Sequence, residues 1–199
     1  MQVIGTIFTK PNQFGDFNWM ILNPEYDNSL FIFNDNEEHH NSCRQGGGNA
    51  IIRKYNKYSS LDTPRSVGIP TGTMALGGYR TFNQEIKNKI DNYFEEIIEL
   101  VNKYKYTTIY YSSELSNNGL IGTSIFKVNH KVLEYITWKI HSLSTHPIKI
   151  VKCIKSFNDQ VDESYFDDYE SDSNSKSSNQ SNNNSSSESN IDSESEECS

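Results

Sequence analysis

The sequence predicts an α/β layered fold for most of the chain, followed by a disordered acidic tail. From residue 30 onward, segments with the composition of β-strands alternate with segments of helical periodicity, as they do in layered α/β domains. The apolar run Leu-Phe-Ile-Phe at residues 30–33 is typical of a strand that is buried on both faces. A chain of 199 residues has the length of one domain of this class.

The predicted strands are short runs of β-branched and aromatic residues that are bounded by turn-forming residues. The first strand is closed by Lys10-Pro11-Asn12, and the fourth precedes Pro70-Thr71-Gly72. We place strands at residues 3–8, 19–22, 30–33, 66–69, 107–111 and 148–154.

The longest predicted helix covers residues 81–104. Its apolar side chains recur at intervals of three and four residues, which places them on one helix face. Thr81 and Gln84 have the spacing of a capping box, in which each side chain satisfies a free backbone donor at the helix start. The predicted buried face consists of Ile86, Ile90, Tyr93, Ile97, Val101 and Tyr104.

Two shorter helices are also predicted. One covers residues 49–55, and the other begins near Asn129 and ends before Pro147. The apolar face of the latter consists of Val132, Leu133, Ile136, Ile140 and Leu143.

Charge is distributed unevenly along the chain. The formal net charge is −8, and residues 159–199 hold 12 acidic residues against the single base Lys176. Residues 1–157 are therefore predicted to form a nearly neutral folded domain, and residues 158–199 a tail too poor in apolar side chains to fold. Because the domain has no basic cluster, the sequence excludes an electrostatic site for nucleic acid.

The acidic tail has two interpretations. It is either a solvating extension or an interaction segment that binds a basic protein partner. Serines that directly precede acidic residues, such as Ser193 and Ser195, suit an acid-directed kinase, and phosphate would increase the negative charge.

The sequence has no apparent membrane-targeting segment. No apolar run approaches the roughly 18 residues that a membrane span requires. The first residues lack the basic and apolar regions of a signal peptide. We therefore expect an intracellular, cytoplasmic protein that does not bind a membrane.

Two glycine-containing loops follow predicted strands. Gly46-Gly47-Gly48 precede the helix at residues 49–55, and Gly119 and Gly122 follow the strand at residues 107–111. Ligands of open α/β sheets bind where strands end, because loops and helix starts there present free amide donors. The two loops together predict a diphosphate ligand that is held by backbone amides, with simple turns as the alternative.

These motifs resemble those of macro domains, which bind ADP-ribose. The segment Phe31-Ile-Phe-Asn-Asp-Asn36, with Gly46-Gly-Gly-Asn-Ala50, is similar to the strand, Asn-rich loop and glycine stretch of that family. The segment Asn118-Gly-Leu-Ile-Gly-Thr123 is similar to the family's later Gly-x-x-Gly loop. The resemblance implies a three-layer macro-like fold with a mixed central sheet, and ADP-ribose or a related nucleotide as ligand.

The similarity is greater still to uncharacterised macro-like proteins of phages and large viruses. Their pattern is matched by Asp35-Asn36, Gly47-Gly48, the Ala-Ile-Ile-Arg of residues 50–53 and the Gly-Ile-Pro-Thr of residues 68–71. A viral origin would place the chain in the cytoplasm of a host cell.

The resemblance also implies roles for individual residues. If the chain hydrolyses a distal-ribose ester, Asn36 orients the ribose and Asp35 or His39 activates water, with Asn34 as the alternative to Asn36. Macro domains usually hold an acidic residue near the adenine, and Gly15-Asp16-Phe17 is the comparable turn here. The expected ligand contacts are Asn34, Gly46, Gly47, Gly48, Asn49, Arg53, Gly119, Leu120, Ile121 and Gly122.

Three alternatives remain open. His39, His40 and Cys43 have a spacing that holds zinc only if a fourth ligand comes from elsewhere, so we expect solvated loop histidines, no metal and no further cofactor. Arg53 pairs with either a phosphate or an internal carboxylate. A hypothesis from another class is a non-catalytic viral or interaction protein with a vestigial pocket.

Overall fold

A computed structural model describes residues 1–114, 119–123 and 126–144 of the chain. The strands of its central sheet are β1 (Gln2–Thr6), β2 (Ser29–Asp35), β3 (Ser66–Pro70) and β6 (Thr108–Ser112). A separate hairpin is formed by β4 (Gly72–Thr73) and β5 (Gly77–Gly78). The helices are α1 (Phe17–Met20), α2 (Gln84–Tyr104) and α3 (His130–Ser142), together with 3₁₀ helices at Pro24–Tyr26 and Gly48–Tyr55.

The four strands of the central sheet are parallel and lie in the order β1-β6-β2-β3. Within the described residues the central sheet has no antiparallel strand, whereas the resemblance to macro domains implied a mixed sheet. The α/β class is confirmed. Because the strands are parallel, the carboxyl ends of β1, β6 and β2 meet at one edge.

Strand β2 is buried along its whole length, as predicted from its continuous apolar run. Its side chains alternate between two cores, because successive residues of a strand point to opposite faces. Leu30 and Ile32 belong to the core that contains α2 and α3, and Phe31 and Phe33 to the core that contains α1 and the Gly48–Tyr55 helix. Helices therefore cover both faces of the sheet.

Helix α2 ends where it was predicted to end, but it begins three residues later and has a different cap. The helix begins at Gln84, and Asn83 is its N-cap, since the Asn83 side chain accepts a hydrogen bond from the backbone N–H of Ile86 at 2.9 Å. The predicted capping box with Thr81 is wrong, because an asparagine closer to the helix supplies the oxygen. The fully buried face is Ile86, Ile90, Phe94, Ile97 and Leu100, while the predicted Tyr93, Val101 and Tyr104 are partly buried against the same core.

The strand predicted at residues 19–22 is wrong, because this segment belongs to α1 and its end. Asp16 caps the helix by accepting hydrogen bonds from the backbone N–H groups of Asn18 and Trp19. Phe17 is buried against Phe31 of β2, with ring centroids 5.1 Å apart. A short apolar run is too brief to show whether its periodicity is that of a strand or of a helix. The hydrogen bonds of the Asp16 cap favour the helix here.

The other predicted elements within the described residues are confirmed to within two residues, with the segment at residues 49–55 forming a 3₁₀ helix. Helix α3 follows its N-cap Asn129 and buries Val132, Leu133, Ile136 and Ile140. Pro147, the strand predicted at residues 148–154 and the tail lie outside the described residues. In the described part of the chain, no helix has both the length and the apolar character needed to cross a membrane.

Candidate functional site

A cavity of about 710 Å³ opens at the edge of the sheet where β1, β6 and β2 end. This volume falls within the range of small-molecule sites. Three parts of the chain form it, namely the segment that follows β1, the end of β2 with the start of the Gly48–Tyr55 helix, and the segment that follows β6. The lining residues are Thr6, Ile7, Phe8, Pro11, Asp16, Asn18, Asn34, Gly48, Asn49, Ile51, Ser112, Ser113, Glu114, Gly122 and Thr123.

The Gly48–Tyr55 helix turns its start toward the cavity. Gly48 and Asn49 both line the cavity, and Gly48 has a φ of +57°, a conformation that glycine adopts without strain. No side chain caps this helix, because its N-cap residue is Gly47. The first amide groups of a helix have no partner within the helix, so those of Gly48 and Asn49 are available to an anionic ligand.

Two polar residues at the ends of neighbouring strands form part of the cavity floor. Asn34 lies near the end of β2 and is 9% exposed, and Ser112 is the last residue of β6 and is 7% exposed. The Ser112 hydroxyl has no hydrogen-bond partner within the described part of the chain. Both residues line the cavity, and Ser112 has an unpartnered hydroxyl there.

The segment after β1 provides an apolar wall and a carboxylate. Ile7, Phe8 and Pro11 line this side, and the Phe8 side chain is 53% exposed. Asp16 also lines the cavity, although its carboxylate already accepts hydrogen bonds from backbone N–H groups, including that of Asn12 at 2.9 Å. An apolar surface beside a hydrogen-bonding group suits a heterocyclic base.

The charge of the lining is negative. Its ionisable side chains are the carboxylates of Asp16 and Glu114, and the lining residues that the structure describes include no Lys, Arg or His. An anionic group in this cavity would therefore depend on backbone amides for its stabilisation.

Arg53 and Asp35 form a buried ion pair away from the cavity lining. Arg53 Nε donates to Asp35 Oδ2 at 3.0 Å, Arg53 Nη2 donates to Asp35 Oδ1, and Arg53 Nη1 donates to the carbonyl oxygen of Arg44. Arg53 is 3% exposed and Asp35 is 1% exposed. The internal carboxylate is therefore the partner of Arg53 in this structure, and Arg53 is not among the described lining residues of the cavity, so its contact with a phosphate stays a prediction.

The remaining predicted catalytic residues form a separate turn after β2. The Asn36 side-chain oxygen accepts a hydrogen bond from the His39 backbone N–H at 2.9 Å, and Asn36 is buried. The neighbouring His40 packs edge-on against Tyr93, and burial lowers the pKa of its imidazole. Asp35, Asn36 and His39 do not line the cavity, so the structure does not bring them to a ligand there.

The segment at residues 119–123 is held against β6 and α3. Tyr111 Oη donates to the Gly119 carbonyl oxygen at 2.8 Å, and the Ile121 backbone N–H donates to Thr137 Oγ1 at 2.9 Å. Gly122 lines the cavity, whereas Gly119, Leu120 and Ile121 do not. Gly122 therefore contributes to the cavity, and the residues before it contact β6 and α3.

Four of the predicted site residues are brought together in the cavity: Asn34, Gly48, Asn49 and Gly122. Gly46 and Gly47 precede the turn without lining the cavity. The sequence prediction missed the contribution of Ser112, Ser113 and Glu114. A usable signal existed, because these polar residues directly follow the strand predicted at residues 107–111.

The sequence matches no protein-family model, no curated protein and no solved structure. Within residues 1–114, 119–123 and 126–144, no group of three His, Cys, Asp or Glu side chains is arranged to hold a metal ion.

Proposed function

We propose that the chain is a macro-like, three-layer α/β domain that binds ADP-ribose or a related nucleotide in the cavity at the sheet edge. The observation that carries this proposal is the uncapped helix start at Gly48, which opens into a cavity at the ends of three adjacent parallel strands. Such an arrangement supplies free amide donors to a diphosphate without any lysine or arginine.

The lining offers complementary surfaces to the other parts of such a ligand. The apolar wall of Ile7, Phe8 and Pro11 suits the face of a base. Asp16, the counterpart of the acidic residue that macro domains hold near the adenine, lines the same side.

The proposal is limited to ligand binding. It does not include hydrolysis by Asp35, Asn36 and His39, the residues that the resemblance implied to be catalytic. Both oxygens of the Asp35 carboxylate are engaged by Arg53, so this carboxylate is not a free base for activating water. Asn36 and His39 bond each other within their turn and do not line the cavity. If the chain has turnover, other residues of the lining must supply it.

The proposal is tested by thermal unfolding of the full chain with ADP-ribose, ADP, NAD or buffer alone. A ligand at a hundredfold excess over its Kd stabilises the folded state by about 2.7 kcal/mol, which raises the midpoint by about 5–10 °C. A rise with ADP-ribose supports the proposal. No rise with any of the three nucleotides would refute it and leave the interaction-protein hypothesis.

A matched pair of variants locates the binding. Gly48→Ala forces an L-residue into the left-handed region, which costs about 1–2 kcal/mol and distorts the turn, so we expect about tenfold weaker ADP-ribose binding. Gly47→Ala is the control, because Gly47 has an ordinary φ of −76° and a Cβ there would meet no atom within 4 Å. Equal ADP-ribose affinity in the two variants would contradict the role of the Gly48 turn.

A further inference from the structure

Ser112 lines the cavity at the end of a strand that is paired on both sides. It is the last residue of β6, it lies opposite Thr6 in the register with β1, and β2 runs along the other side of β6. The Ser112 carbonyl oxygen accepts a hydrogen bond from the Gly122 backbone N–H at 3.0 Å. The backbone of Ser112 is therefore held both by the pairing with β1 and by the hydrogen bond from Gly122.

The Ser112 side chain lies on the face of the sheet that the cavity adjoins. Side chains alternate along a strand, so Ser112 shares a face with Tyr110 and lies opposite to Tyr111. Tyr110 packs on the core of α1 and the Gly48–Tyr55 helix, and Tyr111 belongs to the core of α2 and α3. The cavity lies on the Tyr110 side, where the start of the Gly48–Tyr55 helix forms part of its lining.

The two hydroxyl residues next to Ser112 have partners within the protein, and Ser112 does not. Thr6 Oγ1 donates to the Tyr111 carbonyl oxygen at 3.4 Å, and the Ser113 side chain is hydrogen-bonded to Tyr111. The residue Ser112 is 7% exposed, and its hydroxyl oxygen is buried and has no hydrogen-bond partner among the residues described. A buried hydroxyl without a hydrogen bond destabilises the folded state, so a ligand group that bonded it from the cavity would remove this cost.

We propose that Ser112 is a specificity-determining residue that hydrogen-bonds an uncharged hydroxyl of the distal ribose, the sugar that ADP-ribose has and ADP lacks, an inference that rests on the proposed nucleotide-binding function. A serine hydroxyl can donate one hydrogen bond and can also accept, which matches another hydroxyl. An anionic group in the cavity would share it with the carboxylates of Asp16 and Glu114, without a cationic side chain in the described lining. The anionic part of the ligand therefore binds the amides near Gly48, and the sugar binds the floor.

The first arm of the test measures the ligand-free full chain. Ser112→Ala removes an unpartnered buried hydroxyl, so we expect the thermal midpoint to rise by about 2–4 °C. Ser66→Ala is the matched control, because Ser66 is also a fully buried strand serine but its hydroxyl donates to the Ile52 carbonyl oxygen at 2.7 Å. We expect the midpoint of this control to fall. A fall with Ser112→Ala as well would overturn the inference.

The second arm measures affinities for ADP-ribose and ADP by calorimetry. We expect Ser112→Ala to weaken ADP-ribose binding by about three- to tenfold, the contribution of one hydrogen bond, and to leave ADP binding and the Ser66→Ala affinities unchanged. Unchanged ADP-ribose affinity, or an equal loss for both nucleotides, would overturn the sugar contact. If the wild-type chain binds neither nucleotide, the proposed function fails, and the ligand-free midpoints still decide whether Ser112 is unsatisfied.

Discussion

Replacing Arg53 by methionine should destabilise the fold strongly, because it leaves the Asp35 carboxylate buried without its cation. The guanidinium donates to both oxygens of that carboxylate and to the carbonyl oxygen of Arg44. The surroundings are closely packed, since a Cβ added at Gly68 would lie 2.3 Å from Asp35 Oδ2. The carboxylate therefore has no room to turn toward water.

The expected magnitude follows from the removal of one partner of a buried pair. Such a change costs about 3–5 kcal/mol, against a total stability of about 5–15 kcal/mol for a typical domain. Arg53→Lys keeps the charge but loses the two-pronged geometry, so its loss should be smaller. The double variant Asp35→Asn with Arg53→Met removes the buried charge as well, and it should recover part of the stability.

The assay is urea denaturation at pH 7, with the free energy of unfolding obtained by linear extrapolation. A loss below about 1 kcal/mol for Arg53→Met would refute the argument that the pair is buried and structural. Preserved stability combined with lost ADP-ribose binding would instead restore the role of Arg53 as a phosphate ligand. The double variant keeps the test measurable if the single variant does not fold.

Three further predictions concern the site, a helix cap and a buried histidine. Asn34→Ala should weaken ADP-ribose binding by about three- to tenfold, whereas Asn36→Ala should leave the affinity unchanged, because only Asn34 lines the cavity. Asn83→Ala should cost about 1 kcal/mol in urea denaturation through loss of the α2 cap, and Thr81→Ala less than about 0.5 kcal/mol. Burial lowers the pKa of His141 in the folded chain. As the pH falls, this histidine is therefore protonated in the unfolded chain before it is protonated in the folded chain. The free energy of unfolding should therefore fall as the pH drops below about 6.5, and His141→Gln should flatten that slope.

Each of these predictions has a contrary outcome. Equal ADP-ribose affinities for the Asn34 and Asn36 variants would contradict a ligand contact that Asn34 makes and Asn36 does not. A larger stability loss for the Thr81 variant than for the Asn83 variant would restore the capping box. An unchanged pH slope in the His141 variant would show that another group accounts for the acid sensitivity.

The sequence predicted the secondary structure well wherever a periodic or continuous apolar pattern was long enough to be unambiguous. Helix α2 and strand β2 are examples, because burial on one helix face or on both strand faces leaves a pattern in the residues themselves. It failed at residues 19–22, where a few apolar residues fit a strand and a helix equally well. There the cap at Asp16 determines the outcome.

The sequence also identified the turn at Gly48 and the loop that contains Gly122, both of which line the cavity, because glycines after a predicted strand mark a turn at the sheet edge. It could not distinguish the two asparagines after β2. Asn34 lies within the strand and lines the cavity, and Asn36 bonds its own turn. Their different roles depend on the end point of β2, which is set by pairing with β3.

By itself, the sequence determined the α/β class, the position of most elements and the segments that could approach a ligand, because these follow from local periodicity and turn chemistry. Only the tertiary structure decided which polar residues meet. The parallel order β1-β6-β2 brings Thr6, Ser112 and Asn34 to one cavity floor, and the packing behind β2 pairs Asp35 with Arg53. Such contacts join residues far apart in the chain, so no local pattern encodes them.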